Sequence, residues 1–139
     1  MSSNPSFEIA EAIHSASIRV LRLVRPADAQ AEIGPAQLSA LSVLVFAGPK
    51  TLGELAGAEQ VKPPTMSRVV EGLVSRGLAE RVPSPEDRRA VRIATTPKGR
   101  RLLLTGRDRR VHLLADRLKG LDDQDLRTLR QAARLLAQL

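Results

Sequence analysis

The chain has 139 residues, a length that favours a single domain. It contains no cysteine, which excludes disulfides, thiolate metal sites and cysteine redox sensing. Lysine and arginine number 22 against 15 acidic residues, and a net charge of +7 favours a polyanionic partner such as nucleic acid or anionic lipid, although a basic surface also serves solubility. Phe7 and Phe46 are the only aromatic residues, which argues against modules that stack single-stranded bases and leaves binding to duplex DNA.

Residues 7–25 have the spacing of an amphipathic helix. Ile9 and Ile13 lie on one apolar stripe that continues toward the end of the segment. Pro26 closes the helix because proline disfavours helical conformation in the residue before it. We expect residues 27–34 to form a linker.

The next two segments predict a largely buried helix over residues 35–47 and a short helix over residues 52–58. Pro35 suits the first turn of the first of these helices, where an amide hydrogen is not needed. Thr51 and Glu54 have the spacing of a capping box, in which the threonine side chain accepts a hydrogen bond from the first turn of the second helix.

Residues 63–76 predict an amphipathic helix that opens with two prolines. Proline is tolerated in a first turn because those amide groups have no acceptor within the helix. Apolar residues repeat at helical spacing and predict a buried stripe: Met66, Val69, Val70 and Leu73. The remaining positions carry short polar side chains, an arginine and a glutamate. Gly77 is a candidate for the left-handed residue that ends the helix.

Two strands are predicted over residues 78–82 and 91–95, where apolar and polar side chains alternate. Residues 83–90 between them hold two prolines and a run of charged residues. Because this connection is longer than a two-residue turn, the pattern predicts a hairpin with an extended, basic loop.

Two further helices are predicted in the C-terminal part. Thr96 caps the first, which runs to about residue 119 with a weak point at Gly106. The second starts near Asp122, and further aspartates in its first turn favour the positive end of the helix dipole. Its apolar residues have the spacing of a helix that packs on another helix: Leu126, Leu129, Ala133 and Leu136.

This order of elements predicts a mainly α fold with a small β-hairpin wing, that is, a winged helix-turn-helix. Residues 52–58 and 63–76 form the helix-turn-helix pair in that arrangement. The second helix of the pair enters the major groove and reads base edges with its N-terminal half. The hairpin is the wing, and its tip reaches the neighbouring minor groove.

Eight residues form the candidate DNA-binding set: Pro64, Thr65, Ser67, Arg68, Glu71, Asp87, Arg88 and Arg89. The two wing arginines suit a narrow, negative minor groove. An unpaired carboxylate beside phosphates would be unfavourable, so we expect Asp87 to accept a hydrogen bond from a neighbouring arginine or a loop amide. Each segment alone is also compatible with an ordinary surface helix or a solvated loop; their order and spacing together favour DNA binding.

Residues 65–99 resemble the MarR family of bacterial transcriptional regulators, and the resemblance extends over about residues 7–139. The family pattern falls on these positions: Gln37, Ser67, Arg68, Leu73, Gly77, Leu78, Arg81, Asp87, Arg89, Thr96 and Gly99. Thr95 stands where the family usually has leucine, a departure that affects local packing.

The resemblance implies a homodimer in which residues 7–30 and 105–139 of both subunits interlock, with a winged domain over residues 35–99. The apolar stripes on the terminal helices agree with this, because they exceed what the winged domain needs to cover. Two-fold symmetry then implies an inverted-repeat operator with recognition helices about 34 Å apart. Most members are repressors, and many release DNA when a small aromatic or anionic ligand binds; we assign no residue to such a ligand.

The sequence predicts no cofactor and no metal. Without cysteine, the family's thiol-based peroxide sensing is excluded, and His14 and His112 are too few for a zinc sensor that uses several histidines. No P-loop, dinucleotide-binding, zinc-protease or serine-hydrolase motif is present, so we expect a protein that is not an enzyme.

Two other functions stay open. The basic segments 98–101 and 106–110 would also serve an architectural protein that binds DNA without sequence preference, because phosphate contacts give affinity but no sequence choice. A winged domain that binds only protein is the other, although its wing need not be basic. We find no secretory leader and no apolar run near the ~20 residues that span a bilayer, and we therefore expect a cytoplasmic protein with no membrane partner.

Overall fold

The computed structural model describes residues 4–139, and this part of the chain is mainly helical with one small antiparallel sheet. The α-helices are α1 (Pro5–Val24), α2 (Pro35–Ala47), α3 (Leu52–Ala58), α4 (Pro63–Ser75), α5 (Pro97–Leu118) and α6 (Asp123–Leu136). The strands are β1 (Lys50–Thr51), β2 (Ala79–Pro83) and β3 (Val91–Thr95). Predicted and observed helices agree closely, and α2 and α3 have the predicted bounds.

Two elements were not predicted. A 3-10 helix over Arg25–Gln30 covers the last residue of the first predicted helix and the first half of the segment expected to be a linker. Proline is compatible with the first turn of such a helix, and Asp28 anchors it by accepting a hydrogen bond of 2.9 Å from the guanidinium of Arg110. Strand β1 was also missed, because two residues are too few for an alternating pattern and their conformation depends on pairing with β3.

The sheet has the strand order β1-β3-β2, so the hairpin of β2 and β3 gains a third strand. Ile93 lies opposite both Lys50 and Arg81, and it is buried on the core side of the sheet. Arg92 lies opposite Thr51 and Val82, and its side chain therefore points to the other face.

The chain divides into two compact units. The first, residues Gln30–Asp108, contains the hydrophobic core, which is formed by α2, α3, α4, the sheet and the start of α5. Its largest fully buried side chains are Leu41, Leu44, Leu55, Met66, Val70, Leu73 and Leu78. Burying one side chain of this size stabilises the fold by roughly 1.5–3 kcal/mol. Val69, predicted as part of the buried stripe of α4, is half-buried at the edge of this core.

The second unit joins the described residues up to Ala29 with Arg109–Leu139. Helix α1 contains no buried residue along Pro5–Val24, and neither does α6 along Asp123–Leu136. Large apolar side chains on these helices remain exposed, for example Phe7 at 64%, Leu21 at 65% and Leu135 at 63%. Within residues 4–139, no helix is both long and apolar enough to cross a membrane.

Candidate nucleic-acid interface

A tight turn joins α3 to α4 and sets the helix-turn-helix pair. The hydroxyl of Thr51 accepts a hydrogen bond of 3.1 Å from the amide of Glu54, which caps α3 as predicted. At the other end of α3, Gln60 adopts a left-handed conformation with φ of 55°. The amide of Val61 then bonds to the carbonyl of Ala56 at 3.0 Å, the contact that closes a Schellman turn.

Helix α4 presents one face to the core and the opposite face to solvent. Met66, Val70 and Leu73 are buried against α2, α3 and the sheet. The exposed residues of the predicted site on this helix are Pro64, Thr65, Arg68 and Glu71. Ser67 is half-buried and sits at the border between the two faces. The exposed face therefore offers a hydroxyl, a guanidinium and a carboxylate near the N-terminal half of the helix.

The C-terminal end of α4 is held firmly. Gly77 has a φ of +70°, and its amide and that of Leu78 bond back to the carbonyls of Val74 and Leu73 at 3.0 and 2.9 Å. These two bonds form the Schellman motif that the glycine predicted. The hydroxyl of Thr96, the residue just before α5, donates a hydrogen bond of 2.6 Å to the carbonyl of Gly77. The direction of α4 is thus set at both ends.

Close contact with α2 also positions α4. A Cβ atom at Gly72 would collide with the side-chain amide of Gln37, so the glycine lets the two helices approach. Gln37, which matched the family pattern, therefore packs against α4 at Gly72. Its role in this chain is to contact the glycine of the facing helix.

The wing loop has a defined conformation set by Asp87. Its carboxylate accepts a hydrogen bond of 2.9 Å from the amide of Arg89, and its carbonyl accepts one of 3.0 Å from the amide of Ala90. A bond of 2.9 Å from the Ser84 amide to the Ala90 carbonyl closes the base of the loop. The expectation that Asp87 accepts a hydrogen bond from a loop amide is confirmed.

The two arginines at the tip remain available. Arg88 and Arg89 are both exposed, and within residues 4–139 neither guanidinium has a hydrogen bond or an ion pair. Because the adjacent carboxylate of Asp87 is occupied by an amide, the loop presents two cations at its outer end. This arrangement suits binding of an anionic surface.

Three other cations of this unit have roles that the sequence did not predict. Arg76 donates to the carbonyl of Glu32 at 2.6 Å, and Lys98 donates to the carbonyl of Arg76 at 3.1 Å, so both support the end of α4. Arg92, on β3, has its Nη2 atom 3.9 Å from a carboxylate oxygen of Glu86. The alternating pattern of β3 could have predicted the orientation of Arg92, since it places this side chain on the face of the sheet away from the buried Ile93.

The geometry offers an exposed polar helix face and a cationic loop in the same compact unit, Gln30–Asp108. A helix presenting hydrogen-bonding side chains has the dimensions to enter the major groove, and an arginine-bearing loop suits the minor groove. Among residues 4–139, no group of three or more histidine, aspartate or glutamate residues could hold a metal ion. The site itself offers charged and hydrogen-bonding side chains.

Comparison with known proteins gives a consistent result. Residues 33–91 match the family model described as MarR family. A curated relative, the HTH-type transcriptional regulator ML2140 of Mycobacterium leprae, is 35% identical over 131 residues, which cover 94% of this chain and 92% of the relative.

Solved structures agree with the curated relative. A MarR family protein from Bacillus stearothermophilus superposes with a TM-score of 0.85 at 25% identity, covering 99% of this chain and 96% of that one. RV1404 from Mycobacterium tuberculosis gives 0.86 at 25% identity, with coverage of 99% and 95%. The similarity extends beyond the helix-turn-helix to the terminal helices.

Proposed function

The chain belongs to the MarR family of transcriptional regulators, and we propose that it represses transcription as a homodimer bound to an inverted-repeat operator in double-stranded DNA. The observation that supports this most is the exposed polar face of α4, which lies in the same compact unit as a wing loop that carries two unpaired arginines. The family is one of transcriptional regulators and not of enzymes.

In this proposal α4 lies in the major groove and reads base edges. Arg68 is placed to donate two hydrogen bonds to a guanine, the commonest specific contact of arginine with DNA. The hydroxyls of Thr65 and Ser67 bind neighbouring bases or phosphates, and Glu71 accepts from a cytosine amino group. Pro64 shapes the first turn of α4, where the helix approaches the sugar-phosphate backbone of the DNA. Together these residues would provide sequence preference.

The wing contributes contacts of a different kind. Arg88 and Arg89 enter the minor groove, whose negative potential is strongest where the groove is narrow. Asp87 does not contact DNA through a free charge in this proposal, because its carboxylate is engaged by the Arg89 amide. Its role is to hold the two arginines in an orientation that fits the groove.

The homodimer is proposed to form through residues 7–30 and 105–139, and the winged domain to comprise residues 35–99. Exposed apolar side chains on α1 and α6 support this, because a soluble chain rarely leaves so many of them uncovered. A two-fold axis would place the two copies of α4 about 34 Å apart, one turn of duplex. We place the regulator in the cytoplasm, where the DNA lies.

An effector completes the proposal. A small aromatic or anionic molecule would release the operator by binding one arrangement of the dimer more tightly than the other. Such a ligand shifts the equilibrium only by its difference in affinity for the two arrangements.

Retention of fragmented genomic DNA in the presence of excess unrelated duplex tests this function. A specific regulator retains a small set of fragments, and Arg68→Ala retains fewer of them with the same background. An architectural protein would retain fragments in proportion to their abundance, and that result would reject the proposal in favour of nonspecific DNA binding.

A further inference from the structure

Arg92 stands out because its hydrogen-bonding capacity is not used. It lies on β3, directly across from Thr51 and Val82, neither of which carries a negative charge. Its Nε atom is buried and has no acceptor within residues 4–139. A buried donor without a partner is unfavourable, and within residues 4–139 no hydrogen bond holds this guanidinium in place.

The ion pair of Arg92 with Glu86 does not fill this need. The Nη2 atom and the carboxylate oxygen are 3.9 Å apart, beyond the distance of a hydrogen bond. The Glu86 side chain is 85% exposed, whereas that of Arg92 is 27% exposed. An exposed pair of this length contributes little to stability, and the carboxylate can therefore be displaced easily.

The position of Arg92 points to the ligand. It follows the wing loop by only two residues, so a duplex bound at the loop tip passes close to it. A guanidinium can donate two hydrogen bonds to one phosphate, here from its two terminal nitrogens, because Nε is buried. The half-buried side chain lies on the surface of the sheet. From there it can reach the DNA backbone more readily than the base edges, which lie deeper in the grooves.

We propose that Arg92 is a further phosphate-binding residue of the wing, paired with Glu86 in the free protein and transferred to a DNA phosphate in the complex. The proposal rests on the proposed function and adds a step to it: DNA replaces an internal carboxylate. Glu86 then acts as a competitor that lowers affinity for every duplex, whatever its sequence.

The test compares four proteins over a series of salt concentrations: the parent, Arg92→Gln, Glu86→Gln and the double variant. Each is titrated with two labelled duplexes, the operator selected from a random-sequence pool and an unrelated sequence. Arg92→Gln should weaken binding about tenfold, to operator and unrelated duplex alike. It should also reduce the slope of log K against log salt by about 1, as expected when one phosphate contact is lost. Glu86→Gln should tighten binding several-fold.

The double variant decides whether the two residues act on each other. If Glu86 competes for Arg92, Glu86→Gln should have little effect once Arg92 is glutamine. Glu80→Gln is the matched control, since it removes the same charge from an exposed site of the same hairpin, and among residues 4–139 Glu80 has no ion pair. Its effect should be smaller and unchanged by the Arg92 substitution.

Three results would overturn the proposal. Additive effects in the double variant would mean that Glu86 acts only through general repulsion. An unchanged salt slope in Arg92→Gln would mean that Arg92 touches no phosphate. Weaker binding by Glu86→Gln would mean that the pair merely braces the wing. If Arg92→Gln lowers thermal stability, Arg92→Lys and the exposed Glu86→Gln still give the answer, because Arg92→Lys keeps the charge.

Failure of the proposed function gives a different result. In that case the parent protein itself shows no preference between operator and unrelated duplex. A parent that retains its preference while the variants combine additively contradicts only the role of Arg92.

Discussion

The carbonyl oxygen of Leu78 is a meeting point for three elements. It accepts hydrogen bonds of 3.1 Å from the Thr96 amide and 3.4 Å from the Thr95 hydroxyl. Gly99 packs directly against it from the first turns of α5. The hydroxyl of Thr95, which replaces the usual leucine, therefore has a polar partner, and the departure from the family pattern is accommodated at this junction.

Gly99→Ala should destabilise the chain. The new methyl group would collide with the Leu78 carbonyl and lie 2.8 Å from the Thr95 hydroxyl oxygen, and neither group can move without loss of hydrogen bonds. We expect a loss of about 1–3 kcal/mol in the free energy of unfolding, measured by urea denaturation. Gly57→Ala in α3 is the control, because a methyl group there meets nothing within 4 Å. Equal stability of Gly99→Ala and the parent would contradict the packing described.

Arg68→Ala and Arg89→Ala should each weaken operator binding while leaving the dimer intact. Loss of Arg68, proposed to donate to a guanine, costs about 1–3 kcal/mol and relaxes preference at that base pair, whereas loss of Arg89 removes a minor-groove contact of the wing. Anisotropy titrations against operator variants at one salt concentration measure both effects. Arg107→Ala, which removes an exposed charge from α5, is the control. Operator affinity of Arg89→Ala equal to that of the parent would show that the wing assignment is wrong.

At the scale of elements, some segments could be predicted from local sequence. Others could not, because they depend on contacts with residues far away in the chain. Pro35 and Thr51 mark the starts of α2 and α3 through effects within one helical turn, and both starts agree with the structure. Strand β1 exists because Lys50 and Thr51 pair with residues some 40 positions away, which no local pattern encodes. The 3-10 helix after α1 depends likewise on the contact between Asp28 and Arg110.

The candidate site divides in the same way. Asp87 was predictable because an aspartate beside two arginines needs a local partner, and the Arg89 amide is only two residues away. The half-buried state of Ser67 and the unpaired Nε of Arg92 follow from tertiary packing. Residue types therefore indicate the chemistry of the site, while packing decides which side chains are free to use it.

Gln60→Gly should stabilise the chain by improving the end of α3. Gln60 has a positive φ, a conformation that costs about 1 kcal/mol for residues with a Cβ and that glycine adopts readily. Thermal and urea unfolding should show a gain approaching this value, while Gln60→Ala should show none. A loss of stability in Gln60→Gly would mean that the glutamine side chain makes a contribution larger than its backbone strain.

At the scale of the whole molecule, the two units differ in how they bury apolar surface. Residues Gln30–Asp108 contain a core of fully buried side chains. The terminal helices α1 and α6 instead expose theirs, with Leu129 at 44% and Leu136 at 42%. The first unit thus has its own core, and the second has the surface expected of helices that pack against a second copy.

Leu129→Asp or Leu136→Asp should therefore abolish the proposed dimer and operator binding together. A carboxylate cannot enter an apolar interface without a partner, and a monomer has only one recognition helix. Sedimentation velocity should report a shift from dimer to monomer. Arg130→Asp changes an exposed, charged position of the same helix and should remain dimeric. Dimeric sedimentation of both leucine variants would exclude α6 from the interface.

The most direct test of the central claim is selection of the purified protein on a random-sequence duplex pool, read by sequencing at near-physiological salt. We predict enrichment of one inverted repeat whose half-sites lie one helical turn apart, since a two-fold dimer presents two copies of α4. Tight binding without enrichment, which fades steeply as salt rises, would contradict the claim and identify a general DNA-binding protein.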